Sequence, residues 1–330
     1  MRRAIALAAL GVALAFPVGP ARGFGAVGVT GGTLEGAARW DAAPRVLYGQ
    51  ERSLAGGLRY SIQGGSYEAF RDRFDWGNHL PTVAQFQDAV EGAFAQWTVT
   101  DPATGLGTNL AFVPDFATAP EMSPFTGAQI DLFGEIDGPA WDPNDEGILA
   151  ATDWFAEYTN HGITLTSGTT GYAGSAMGGA DIVLNANVVW SLYVFETVLA
   201  HELGHALGLS DIDLDAAPYG RFIDDNYDGT SADTARATLN NSFAALIDPY
   251  DPAASPLQLY YVPPGDKGVD AGVMLMRSPA PFLVYISEQK LRNDDFAGRQ
   301  FLYPFVLPEP GALPSLALGA AALALLRRRR

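Results

Sequence analysis

The stretch His201-Glu202-Leu203-Gly204-His205-Ala206-Leu207-Gly208-Leu209-Ser210-Asp211 decides how this chain is read. Two histidines four residues apart on a helix lie on one face, about 40° apart around the axis, so both imidazoles can reach one metal ion. Glu202 lies beside that face, where a carboxylate can take a proton from a metal-bound water. Gly208 suits a helix C-terminus because it turns left-handed without a Cβ penalty. The chain can then fold back and offer Asp211 as a third ligand, which leaves the fourth position of a tetrahedral ion open for water. Asp213 and Asp215 continue the acidic series and are alternative ligands. The competing reading is a buried helix with two hydrogen-bonded histidines. The chain has four histidines and two of them fall here, which favours the metal.

The same stretch resembles the extended zinc signature of the metzincins, H-E-x-x-H-x-x-G-x-x-H, in a variant that ends in Asp. It is similar to the matrixin and serralysin branch and, through the aspartate, to the snapalysin type. The resemblance implies that His201, His205 and Asp211 bind Zn2+ and that Glu202 is the general base of a zinc metalloendopeptidase. The fold it implies is an α+β zincin: a twisted mixed sheet, an active-site helix and a C-terminal subdomain. Two other classes stay open: a metal-binding matrix protein of the same fold with little turnover, and a non-peptidase metal hydrolase. Two histidines and one carboxylate also suit non-haem iron, but the adjoining Glu202 makes hydrolysis at zinc the better fit.

Upstream, the histidine helix is expected from about Leu192 to Leu207. Leu199 and Leu203 point away from the histidines while Val194 and Val198 continue their side, so the helix is apolar nearly all round and belongs between layers. The β-branched run Asp181-Ile182-Val183-Leu184-Asn185 reads as a strand. The resemblance implies that this strand is the sheet edge that pairs with an extended peptide substrate. Further back, Val83, Phe86, Val90, Phe94 and Trp97 recur at helical spacing. Leu110 to Val113 reads as a short strand and 114–150, dense in Pro, Asp and Gly, as a surface loop. Ile163 to Thr166 reads as another strand, followed by a small-residue loop through Gly179.

Downstream, 212–271 reads as a long insertion. Asp224, Asn226 and Asp228 fit the first half of a calcium loop, D-x-N-x-D-G, and are candidate Ca2+ ligands. The twelfth position, where a bidentate Glu is expected, is Ala235, so an ordinary Asp/Gly turn is the alternative. Gly272 to Met276 resembles the methionine turn that underlies a metzincin zinc site, with Met274 favoured over Met276; two core methionines are the alternative. Asp294 to Tyr303 resembles the closing helix of matrixin-type domains, capped by Asn293 or Asp294.

The ends carry a separate message. Residues 1–23 have the layout of a secretory signal: Arg2 and Arg3, an apolar run, then small residues. Pro308-Glu309-Pro310, an apolar run from Gly311 to Leu326 and four arginines resemble a PEP-CTERM sorting signal over 307–330. That resemblance implies a Gram-negative bacterium, an exosortase-type partner, transient anchoring in the inner membrane and delivery to the cell surface. A plain C-terminal anchor is the alternative. The metzincin resemblance implies that residues 24–306, between these ends, are the catalytic domain. The chain has no cysteine, which excludes disulfides and thiolate metal sites. Its net charge of −17 argues against nucleic acid as a partner.

Overall fold

The computed structural model describes residues 25–27, 37–100, 107–123, 126–135, 148–166, 172–211, 221–222, 260–261, 275–276, 290–291 and 293–303. In chain order these form β1 (Gly25–Ala26), β2 (Val46–Leu47), β3 (Gln50–Glu51), β4 (Leu58–Ile62), α1 (Tyr67–Arg71) and α2 (Val83–Gln96). Then come β5 (Phe112–Pro114), β6 (Ile130–Glu135), β7 (Ala150–Ile163), β8 (Tyr172–Asn185) and α3 (Leu192–Ala206). β9 (Leu209–Ser210), β10 (Arg221–Phe222), β11 (Tyr260–Tyr261) and α4 (Asn293–Leu302) follow. The content is mixed α and β, as an α+β class requires.

One five-stranded sheet organises the described residues, in the order β5-β4-β6-β8-β7. β4 pairs in parallel with β5 and β6, and β6 in parallel with β8; β7 runs antiparallel to β8. One face of the sheet carries Ile62, Ile130, Leu132, Ile182 and Leu184 into the main core, where α2 and α3 cover it. Thr82 starts α2 with a capping box: its hydroxyl accepts from the Gln85 amide, and the Gln85 side chain accepts from the Thr82 amide. Phe86, Val90 and Phe94 then face the core, as the helical spacing predicts. Ser191 caps α3 with its hydroxyl alone, which accepts from the Val194 amide. Phe70, Phe74, Trp76, Phe86, Trp190 and Phe195 interlock where α1, α2 and the first turn of α3 meet, mostly edge to face. This aromatic block fixes the N-terminal end of α3 and leaves its C-terminal end to build the site.

Four sequence expectations need correction. The 114–150 segment is not all surface loop, because Ile130–Glu135 within it is a central strand, buried along most of its length. The strand is only six residues long, is interrupted by Asp131 and Glu135, and sits among Pro, Asp and Gly, which conceals it. Of the expected strand at 163–166 only Ile163 is in a strand, as the last residue of the longer β7, and 172–179 of the expected small-residue loop are the first half of β8. There Arg39 pairs with Ala176, and the space a Gly178 side chain would fill is taken by Leu47 and Phe155, 3.0 Å from its ideal Cβ. Small residues are what let these neighbours close on the strand. Finally, 181–185 is not the sheet edge. β8 lies between β6 and β7, and β7 is the edge strand beside it.

On the sheet face away from the two long helices, Ser61, Asp131, Asp181 and Asp153 are paired in register across four neighbouring strands. Burial, with Asp131 and Asp153 on either side, pushes the Asp181 carboxyl up to about 7. Between pH ~4 and ~7 the folded chain therefore holds a proton that the unfolded chain, with an aspartate near 3.9, has lost. Stability from this group is greatest at acid pH and falls as pH rises toward 7. Asp181→Asn is expected to change little at pH 4 and to stabilise the chain at pH 8 by roughly 2–4 kcal/mol. Denaturant melts of both chains at the two pH values check this; equal midpoint differences at both would contradict it.

Candidate metal centre

α3 is buried on nearly all sides between α2 and the β7–β8 pair. Side chains from elsewhere receive the carbonyls of its last turns. Trp97 Nε1 donates to Ala200 O, Trp40 Nε1 to Ala206 O, and the Tyr303 hydroxyl to Leu207 O. The helix end is thus satisfied without water. Gly208 follows with φ +106°, a conformation that disfavours any side chain, and its ideal Cβ would lie 2.2 Å from Ala38 O. That turn lays Leu209 and Ser210 down as β9, paired antiparallel with β1, and Asp211 comes next. The Val27 amide donates to Gly208 O at 2.9 Å, so the N-terminal strand ties down the turn that delivers the aspartate.

His201, His205 and Asp211 converge. The two Nε2 atoms are 3.1 Å apart, and Asp211 Oδ1 lies 3.2 Å from His201 Nε2 and 3.5 Å from His205 Nε2. Both Nδ1 atoms face carbonyls, His201 the Leu275 O at 2.7 Å and His205 the Leu209 O at 2.9 Å. A carbonyl only accepts, so each Nδ1 carries the proton, and in the neutral rings each Nε2 presents a lone pair. Asp211 Oδ1 is buried and receives no hydrogen bond. With both rings neutral, three lone-pair atoms face one another, and that is the donor set of a cation. Their spacings also fit: a tetrahedral ion with bonds of about 2.0–2.1 Å has edges of roughly 3.3 Å. These three residues can hold a metal ion.

The charges agree with this. Burial opposes charging His201, but Asp211, Glu202 and the Leu275 carbonyl outweigh it and raise the imidazole to about 9. His205 is raised against its burial by Asp211 and Glu202. Burial works against the Asp211 carboxylate too, yet the two imidazoles hold it well below the usual range. Without an ion the cluster draws in positive charge.

Glu202 is buried beside the histidines, and its Oε2 accepts a 2.6 Å hydrogen bond from the Thr152 hydroxyl on β7. Behind His201, Leu275 and Met276 are held by Asp295 of α4. Its carboxylate is fully buried and accepts from the Leu275 amide at 2.9 Å and the Met276 amide at 3.1 Å. The Met276 sulfur packs on Gly204, whose ideal Cβ would lie 2.1 Å from it and 2.8 Å from Trp97 Cζ2. Gly204→Ala is expected to cost about 1–3 kcal/mol through overpacking, read as a lower denaturation midpoint with an unchanged m-value.

The structure therefore brings His201, Glu202, His205 and Asp211 together. Met274, favoured from sequence for the methionine turn, lies outside the described residues, as do Asp213, Asp215, the calcium candidates Asp224, Asn226 and Asp228, and both chain ends. The sequence assigns no role at the site to Thr152, Asp295, Trp40 or Tyr303: Thr152 and Trp40 sit in no motif, and Asp295 and Tyr303 read only as parts of the closing helix. Asp295 stood in plain view as one of two acids at a helix start, a position that normally signals only a dipole contact. Among the described residues no helix is long and apolar enough to cross a membrane. No family model matches the chain, and no curated protein matches it.

Proposed function

We propose that the chain is a zinc-dependent metalloendopeptidase of zincin fold, exported and sorted to the cell surface. The observation that carries this is the convergence of His201 Nε2, His205 Nε2 and Asp211 Oδ1 with the Glu202 carboxylate beside them. Three ligands leave a tetrahedral ion one position for water or substrate, and the set of two imidazoles and one carboxylate suits zinc. The mostly parallel sheet with one long antiparallel edge strand, and the histidine helix packed on it, support the zincin reading.

His201, His205 and Asp211 would hold the zinc, and when bound it supplies Lewis acidity toward a scissile carbonyl and toward a water. Glu202 takes the proton of the attacking water and passes it to the leaving amine. The Nδ1 hydrogen bonds to Leu275 O and Leu209 O keep both rings oriented with Nε2 inward. Among the described residues the sheet edge next to α3 is β7 and not 181–185, so main-chain pairing with substrate is assigned to that strand.

The test is cleavage of a diverse peptide mixture by the full chain, followed by chelation and metal return. Zinc-restored cleavage supports the peptidase. A chain that binds zinc stoichiometrically and cleaves nothing would sink it and favour the metal-binding matrix protein.

A further inference from the structure

Glu202 has two carboxylate oxygens, and the fold treats them differently. Thr152 Oγ1 lies 2.6 Å from Glu202 Oε2 and 3.1 Å from the Glu202 main-chain O. A threonine hydroxyl has one proton, and the shorter contact to a charged acceptor takes it. Among the described residues no other group donates to this carboxylate, and Oε1 is left without a protein donor. Thr152 sits on the edge strand β7, paired in register with Ile182 of β8. Its β-branch restricts χ1, so the strand holds the hydroxyl in place better than a serine or a surface rotor would.

We propose that Thr152 is the positioning residue of the proton-transfer step: by tying Oε2 to β7 it turns Oε1 to the reacting water. This rests on the peptidase reading of the site. Glu202 is on α3 and Thr152 on the sheet, so the hydrogen bond also fixes how the base-bearing helix sits against the strand proposed to pair with substrate. The hydroxyl donates throughout and is not itself consumed. The proton that Glu202 gains from water leaves with the amine, so the Thr152 hydrogen is unchanged at the end of a turnover.

The experiment uses the full chain with zinc and one cleaved peptide, comparing the native chain with Thr152→Val and Thr152→Ser. Valine keeps the β-branch and removes the donor; serine keeps the donor. Loss of an outer partner of this kind costs roughly 10–100-fold. The expected result is a kcat lower by about that factor in Thr152→Val, with KM and zinc affinity within about threefold of native. Thr152→Ser is expected to recover most of kcat. A second readout needs no turnover: in the metal-free chain Thr152→Val is expected to lower Tm when Glu202 is present and to leave it unchanged in a Glu202→Ala background. A Thr152→Val chain with native kcat would overturn the assignment, as would a Thr152→Ser chain impaired as badly as the valine. Equal losses of zinc affinity and kcat would also overturn it, because the residue would then act on the fold of the site alone. A native chain that cleaves nothing overturns the peptidase reading together with this one.

Discussion

A Glu202→Gln chain is expected to bind zinc as the native chain does and to lose peptide cleavage by roughly 10²–10⁴-fold, the usual size of a general-base contribution. Glutamine is nearly isosteric, and its amide oxygen can still accept the Thr152 hydroxyl that Oε2 accepts now. What it cannot do is take a proton. The loss should therefore fall on kcat with little change in KM, as for an interaction made only in the transition state. Steady-state kinetics beside a zinc titration check it. Retained cleavage would remove Glu202 from the proposed chemistry, and lost zinc affinity would mean that the residue acts through the fold of the ligand helix.

Asp295→Ala should be the most damaging change away from the ligands. The carboxylate is fully buried and accepts from two main-chain amides, Leu275 and Met276. Alanine orphans both, at about 1–3 kcal/mol for each buried donor. The effect should not stop at stability. Leu275 O is the partner of His201 Nδ1, so a loosened turn frees the imidazole that it orients. Zinc affinity is then expected to fall by roughly 10–100-fold, as when other second partners of metal-bound histidines are lost. Denaturant melts and a zinc competition titration measure the two effects. A chain that melts lower yet binds zinc natively would break the link from α4 through the turn to His201.

The ligand stretch was legible because its chemistry is local. Histidines at i and i+4, Gly208 at the helix end and Asp211 three residues later lie within eleven residues, and helix geometry alone brings the first two together. The helices were legible from period as well: α2 and α3 fall within a residue or two of their expected bounds. The sheet was not. β6 is a short run inside a Pro- and Gly-rich stretch, and the first half of β8 is built of small residues because Arg39, Leu47 and Phe155 close on it. Nothing in the order of strands says that the chain returns to put β8 inside and β7 outside, so the edge was assigned to the wrong strand. Thr152 and Asp295 act across 50 residues and about 20 residues of sequence respectively, on partners that only the folded chain supplies.

Zinc K-edge X-ray absorption of the full chain, with metal content measured on the same sample, tests the centre most directly. The expected result is one zinc per chain with two imidazole nitrogens and carboxylate or water oxygens at about 2.0–2.1 Å, and loss of that site in His205→Ala. A chain that takes up no stoichiometric metal, or one whose zinc environment is unchanged in His205→Ala, would contradict the account.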